Sequence, residues 1–124
     1  MAAYPEASEL PEIDIDAAIA SMENDVEGYA AIADVFIEEC APTQLALERA
    51  VASGTANLLP ILHEIANSLD VVGATQSGRM VRDLELRLHE GDTLDATVVA
   101  GLASRALTKA AQELRAWIAD RTVH

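Results

Sequence analysis

Residues 59–74 read LPILHEIANSLDVVGA, and their apolar positions recur every three or four residues. This is the period of a helix that buries one face. Pro60 falls within about the first turn, where a missing N–H costs least, and Gly73 interrupts the pattern. The stretch therefore predicts an amphipathic helix that ends near Gly73. Its apolar stripe consists of Leu58, Leu62, Ile65, Leu69 and Val72.

The helical period extends over most of the chain, which is rich in alanine and leucine, two strong helix formers. It predicts a short helix at 14–24, a long segment at 25–54, and further helices at 75–90 and 94–120. Pro42 should kink the long segment or split it in two. Because the connections are short, successive helices should pack antiparallel. The sequence thus predicts an all-α, up-and-down four-helix bundle with a short extra N-terminal helix.

The same reasoning assigns the domain limits and the inward side chains. A flexible lead-in is expected at 1–12, the bundle at 13–120 and a C-terminal tail at 121–124. Besides the 59–74 stretch, the residues expected to face the core are Val26, Tyr29, Ile32, Val35, Phe36, Leu45, Leu47, Val51, Val81, Leu84, Leu88, Val98, Leu102, Leu107, Leu114, Trp117 and Ile118.

The chain is acidic, with a net charge of -13, and the charge is unevenly distributed. Residues 1–48 contain twelve acidic side chains and no lysine or arginine, whereas residues 49–124 contain nine acids and eight bases. An acidic surface repels phosphate backbones and anionic lipid, so we expect neither nucleic acid nor membrane as a partner. Solubility alone is an alternative explanation of the acid excess.

Cysteine content and motifs point to a cytoplasmic protein without a metal centre. Cys40 is the only cysteine, so no internal disulfide can form, which suits a reducing compartment. No basic segment precedes an apolar run as in a signal peptide, and no apolar run reaches membrane-spanning length. Because HExxH and CxxC motifs are absent, we expect no zinc site.

His63 is the one residue in the 59–74 stretch that suggests chemistry. It lies one position away from the apolar stripe, at the edge between core and solvent. Ala66, Asn67 and Asp70 follow on the same side of the helix, so a low, mostly neutral surface should surround the imidazole. An inert histidine at the edge of the core is the alternative interpretation.

The next helix should bring a carboxylate to this histidine. If the hairpin turns near residues 73 and 74, His63 lies level with Glu85. A carboxylate beside one imidazole nitrogen favours one tautomer and makes the other nitrogen a better nucleophile. Arg82 lies at helical spacing from Glu85 and could neutralise an arriving anion.

Three motifs give the sequence a resemblance to the histidine-containing phosphotransfer (HPt) domain of bacterial phosphorelays. HEIANSLDVVGA at 63–74 is similar to the family pattern H-x-L-K-G-S-x-x-x-L/I-G-A. VFIEECAPTQLALERAVASGT at 35–55 and LELRLHEGD at 84–92 resemble the helices before and after it. The order and spacing of these motifs match from about residue 13 to residue 117.

The resemblance implies a phosphocarrier, with His63 as the phosphoacceptor, Glu85 orienting the imidazole and Arg82 stabilising the phosphoryl group. The partner would be a response-regulator receiver domain or a hybrid histidine kinase. The receiver would bring its own Mg²⁺, so the chain would need no cofactor, and it would have no kinase or ATPase activity of its own. Because the predicted bundle is self-sufficient, we expect a monomer. The partner would dock on Leu59, Ala66, Asn67 and Asp70.

The sequence departs from the family pattern at two positions. Ala66 replaces the usual lysine, which helps to hold the phosphoryl group, and Asn67 replaces the usual glycine. These changes leave open a degenerate module that docks a receiver or kinase without accepting phosphate. An unrelated adaptor is a further alternative, since helical bundles host many functions.

Overall fold

The computed structural model describes residues 12–123. Within this range the chain is all-helical, with one 3₁₀ turn at Thr55–Asn57 and no strand, which confirms the all-α part of the prediction. None of the helices in these residues is long and apolar enough to cross a membrane. The α-helices are α1 (Ile15–Ser21), α2 (Val26–Ser53), α3 (Leu58–Val72), α4 (Thr75–His89) and α5 (Ala96–Val123).

Side-chain and glycine caps set the limits of the helices. The Asp25 carboxylate accepts a hydrogen bond of 2.8 Å from the Gly28 N–H and so caps the start of α2. Gly73 ends α3 in a left-handed conformation, with φ at 92°, as the sequence predicts. A Cβ on Gly73 would also lie only 3.0 Å from the Ala18 Cβ of α1. The turn between α3 and α4 therefore requires glycine for both conformation and space.

Two expected boundaries differ in the structure. Helix α2 continues through Pro42 without a break, so of the two expected effects of the proline, a kink or a split, the split is wrong. Buried side chains on both sides of the proline, Cys40 and Leu47, face the same core and hold the two halves in line. Helix α5 continues to Val123 instead of ending near residue 120, so residues 121–123 extend the helix and do not form a separate tail. Residues 1–11 of the expected lead-in and residue 124 lie outside the described residues.

Helix α3 contributes the centre of the core. It packs against α2, α4 and α5, while α2 and α4 each pack against α5, and α1 packs against α2. The stripe predicted from the 59–74 stretch is fully buried, with no member more than 1% exposed. The core thus fixes the rotation of α3 about its own axis, which decides where its polar side chains point.

Four residues expected to face the core are instead exposed. They are Val26, Val35, Leu45 and Val98. On α2 the buried row runs through Tyr29, Ala33, Phe36 and Cys40, so small alanine side chains occupy core positions. Because α2 carries apolar residues on several faces, apolar spacing alone could not show which face is buried.

Candidate functional site

The structure places His63 and Glu85 side by side, as the hairpin argument predicts. The Nδ1 atom of His63 on α3 lies 3.3 Å from the Oε2 atom of Glu85 on α4. The His63 side chain is 58% exposed and that of Glu85 is 26% exposed. A carboxylate at this distance favours the tautomer with its proton on Nδ1, which leaves the lone pair on Nε2. The ring is thus largely exposed, and in its neutral form the acceptor lone pair is on Nε2.

Buried neighbours on both helices hold this pair in place. Leu62 and Ile65 are buried on either side of His63, and Leu84 is buried beside Glu85. The Ala74 N–H donates to the Leu69 carbonyl at 2.8 Å and closes the end of α3 before α4 begins. The positions of the two side chains therefore follow from core packing and a tight turn.

Arg82 is engaged in a polar network beside the histidine. Its guanidinium donates to the Asn67 Oδ1 atom at 2.9 Å and forms an ion pair with the Asp70 carboxylate. Asn67 lies one helical turn after His63 on α3, and Arg82 lies one turn before Glu85 on α4. Part of the arginine charge is thus already neutralised within the chain, and its predicted role toward a phosphoryl group stays a prediction.

Gly78 leaves the space that this network needs. The sequence analysis does not identify it as a residue of the site. It is buried on α4, and a Cβ there would collide with the Asp70 carboxylate oxygen. The missing side chain lets the carboxylate lie against α4, within reach of Arg82 one turn further along. The sequence does contain a signal for this residue, which is an isolated glycine inside a helical pattern. Such a glycine lowers helix stability by about 1 kcal/mol relative to alanine, so its presence suggests a packing requirement.

The four residues predicted to dock a partner differ in accessibility. Ala66 is 0% exposed, so its assignment to the docking surface is wrong. It lies four residues after Leu62 and three before Leu69, and therefore belongs to the buried row of α3. Leu59 is half-buried, whereas Asn67 and Asp70 are exposed.

Two other reactive side chains are Cys40 and His89, and neither belongs to the His63–Glu85 pair. Burial raises the pKa of the Cys40 thiol, and nearby Arg115 partly offsets this. The thiol donates to the Leu107 carbonyl at 3.8 Å, so Cys40 is a buried, protonated side chain and a poor nucleophile. His89 is exposed at the end of α4. Residues 12–123 contain no cluster of three or more His, Cys, Asp or Glu side chains that could hold a metal ion.

Comparisons with protein-family models, curated proteins and solved structures found no match to this chain. The site is therefore interpreted from its own geometry. An accessible imidazole beside a carboxylate can accept a group on Nε2 while the carboxylate balances the charge that develops on the ring.

Proposed function

We propose that the chain is a histidine phosphocarrier of the HPt type, which accepts and passes on a phosphoryl group in a two-component phosphorelay. The observation that carries the proposal is the exposed His63 imidazole with its Nδ1 atom 3.3 Å from Glu85. The motif resemblance around His63 adds the class of partner: a response-regulator receiver domain or a hybrid histidine kinase.

In the proposed reaction the Nε2 lone pair of His63 attacks the phosphorus of an aspartyl phosphate on the receiver. The N–P bond forms while the P–O bond to aspartate breaks, and the partner's carboxylate leaves with the bonding electrons. The ring keeps its proton on Nδ1 and becomes cationic, and the Glu85 carboxylate stabilises that charge. The reverse reaction passes the group to a second receiver.

The partner would provide the remaining chemistry. Its Mg²⁺ neutralises the phosphoryl oxygens, as in other phosphoryl transfers. This chain then needs no cofactor of its own and does not hydrolyse ATP. The proposal includes a cytoplasmic monomer in which α2 to α5 form the up-and-down bundle and α1 is the extra helix. The packing of α3 against α2, α4 and α5 supports that arrangement.

A second candidate is an HPt-like module that binds a receiver or kinase without accepting phosphate. Two observations favour it. The position of the family lysine holds Ala66, which is buried, and Arg82 is paired with Asp70. The chain therefore has no positively charged side chain at the position of the family lysine, and stabilisation of the phosphoryl group would depend on the partner.

Transfer of label separates the two candidates. Receiver domains of the same organism, phosphorylated on aspartate and supplied with Mg²⁺, are mixed with the chain, and acid-labile, base-stable label is followed. We expect label on the native chain and on His89→Gln, an exposed histidine one helical turn after Glu85 and outside the motif around His63, but not on His63→Gln. Binding without label would favour the docking module, and label retained in His63→Gln would rule out His63 as the acceptor.

Glu85→Gln tests the orienting role within the same assay. It keeps the shape of the side chain but removes the charge. An exposed ion pair is worth up to about 1 kcal/mol, so the initial transfer rate should fall by about two- to fivefold. The matched control is Glu90→Gln, an exposed glutamate that follows α4, and it should leave the rate unchanged. Equal rates for Glu85→Gln and the native chain would contradict the orienting role.

A further inference from the structure

The side-chain amide of Asn67 on α3 is oriented by its hydrogen bond to Arg82. The guanidinium donates to the Oδ1 atom of Asn67 at 2.9 Å. Because a guanidinium has no acceptor, the amide atom that faces it must be the oxygen. The Nδ2 group therefore points away from Arg82 with two N–H donors. Among residues 12–123, none provides an acceptor for these donors, and Asn67 is exposed.

Arg82 is itself held in this position. Its ion pair with Asp70 anchors the guanidinium to the next turn of α3, and Gly78 leaves the space that the carboxylate needs. Asp70 thus fixes Arg82, and Arg82 fixes the amide of Asn67. An exposed asparagine without such contacts rotates about both side-chain bonds, so the network lowers the entropy cost of presenting the amide to a bound group.

The oriented amide lies beside the proposed reacting nitrogen. Asn67 follows His63 by four residues, so the two side chains lie on the same side of α3. Side chains of a helix lean toward its N-terminus, and the Asn67 amide therefore covers the turn that carries His63. The Glu85 carboxylate occupies the Nδ1 edge of the ring, which leaves the Nε2 edge for a phosphoryl group. The free N–H donors and that group would thus share the exposed side of one helical turn.

The other neighbours of His63 are less suited to hold a phosphoryl group. Ala66, at the position of the family lysine, is buried and apolar. Glu85 is acidic and repels the phosphoryl oxygens. Arg82 is already paired with a carboxylate. Asn67 combines unused N–H donors, exposure and a fixed orientation.

We propose that the Asn67 amide donates a hydrogen bond to a phosphoryl oxygen on phosphorylated His63, with Arg82 as the positioning residue that orients the amide. This inference rests on the proposed phosphocarrier function and adds to it a residue that holds the transferred group. Asn67 would provide, as a neutral donor, the contact that the chain lacks at Ala66. Hydrogen bonds to charged oxygens are stronger than those between neutral groups, so the loss of this one should shorten the lifetime of the phosphorylated form.

Chemical phosphorylation of the full chain tests this contact without a receiver. Phosphoramidate is the donor: the N–P bond to His63 forms, the P–N bond of the reagent breaks, and ammonia leaves. After the reagent is removed, phosphorus NMR follows the decay of the phosphohistidine signal that His63→Gln lacks. We expect Asn67→Ala to shorten its half-life by about three- to tenfold. Asn67→Gln keeps the N–H donors and should restore most of the half-life.

Two controls separate a direct contact from a general change in the fold. In proton–nitrogen NMR spectra the side-chain amide signals of Asn67 should move when His63 is phosphorylated. Those of Asn57, an exposed asparagine whose amide donates to Ser53 at 3.0 Å, should stay in place. Asn57→Ala is the matched variant, and it should leave the half-life of the phosphorylated form unchanged.

A double-mutant cycle tests the positioning role of Arg82. Arg82→Gln alone should shorten the half-life, because the Asn67 amide is then no longer oriented. In the Asn67→Ala background the same substitution should have little further effect, since a positioning residue acts through the group that it positions. Equal effects of Arg82→Gln in both backgrounds would show that Arg82 acts on the phosphoryl group directly, and would overturn this part of the proposal.

The role of Asn67 and the phosphocarrier function can fail separately. An equal or longer half-life in Asn67→Ala, unmoved Asn67 amide signals, or no labelling of His63 by phosphoramidate would each overturn the role of Asn67. If phosphorylated receivers never label the native chain, while phosphoramidate does and Asn67→Ala shortens the half-life, the phosphocarrier function fails and the contact between Asn67 and the phosphoryl group stands.

Discussion

The end of the molecule around Tyr29 and the face around His63 differ in the environment of their polar groups. At the Tyr29 end a polar group is buried and hydrogen-bonded, whereas at the His63 face one is accessible to solvent. Tyr29 is 0% exposed, and its hydroxyl donates to the Val72 carbonyl at 2.6 Å. That carbonyl belongs to the last turn of α3, where helical partners are missing, so the tyrosine caps the helix. His63 is exposed and keeps one ring nitrogen available. Satisfied polar atoms stabilise a fold, whereas accessible ones can react.

Further contacts hold several elements together at the Tyr29 end. The Tyr29 and Trp117 rings meet edge to face, with centroids 5.3 Å apart, and Arg121 lies over the Trp117 ring. The Glu113 carboxylate on α5 accepts from the Glu12 N–H, and the Glu12 carboxylate accepts from an N–H at the start of α4 at 2.6 Å. Changes at this end should therefore alter stability.

The largest expected effect comes from truncating the buried tyrosine. Tyr29→Ala should lower the free energy of unfolding by about 3–5 kcal/mol, as for other large aromatic side chains in cores. Tyr29→Phe removes only the hydroxyl and should cost about 1–2 kcal/mol, because the Val72 carbonyl loses its partner. Urea unfolding followed by circular dichroism measures both.

His63→Gln is the control for this comparison. Because His63 is exposed, its substitution should change the free energy of unfolding by less than about 0.5 kcal/mol. A loss in His63→Gln as large as in Tyr29→Phe would contradict the contrast between the two regions, since the exposed face would then carry as much of the stability as the buried end.

The same tyrosine predicts how stability depends on alkaline pH. Burial, and secondly the negative charge of Glu113, raise the pKa of Tyr29 to about 12. In the unfolded chain a tyrosine loses its proton near pH 10, so the unfolded state binds fewer protons between pH 10 and 12. Stability should therefore fall as the pH rises through this window, by about 3 kcal/mol in total.

Urea unfolding from about pH 9 to about pH 12 measures this dependence, over the range where tyrosine and lysine titrate. Other groups also titrate there, and Tyr29→Phe carries all of them except this hydroxyl. The difference between the two curves should thus contain the tyrosine contribution alone. Parallel curves for the native chain and Tyr29→Phe would show that the ionisation of Tyr29 does not affect folding.

The two regions also differ in how far the sequence predicts them. The α3 stripe, the end of α3 at Gly73 and the approach of Glu85 to His63 follow from local periodicity and a short hairpin. The hydrogen bond from Tyr29 to Val72 joins residues 43 positions apart, and local spacing carries no information about it. Long-range contacts of this kind depend on which faces of α2 and α3 meet.

The side chains whose burial the sequence predicts wrongly have a common cause. The sequence places Ala66 on the surface and Val35 in the core, and the structure shows the reverse for both. In both helices a small side chain occupies the core while a larger apolar one stays outside (Ala66 and Val71 on α3, Ala33 and Val35 on α2), so hydrophobicity does not identify the buried face. The pairing of Arg82 with Asp70 was missed because it depends on the space left by Gly78.

A smaller effect on stability than those of the Tyr29 variants concerns this pairing. Asp70→Asn removes the exposed ion pair with Arg82 and should change the free energy of unfolding by about 1 kcal/mol or less. It also releases the arginine charge one turn from Glu85. If Arg82 can then reach a phosphoryl group on His63, the phosphorylated form should persist longer than in the native chain, which is measured by the decay of label.

Asp83→Asn is the matched control, because it removes a different exposed pair of α4, between Asp83 and Arg87 at 3.8 Å. It should leave the lifetime of the phosphorylated form unchanged. Adding Arg82→Gln to Asp70→Asn should abolish any gain, and a gain that persists would show that Arg82 is not its source. At the His63 face, a contact with little weight in folding would then control the proposed chemistry, because it holds a charge that could otherwise act on the phosphoryl group. At the Tyr29 end, a change of similar size would affect stability only.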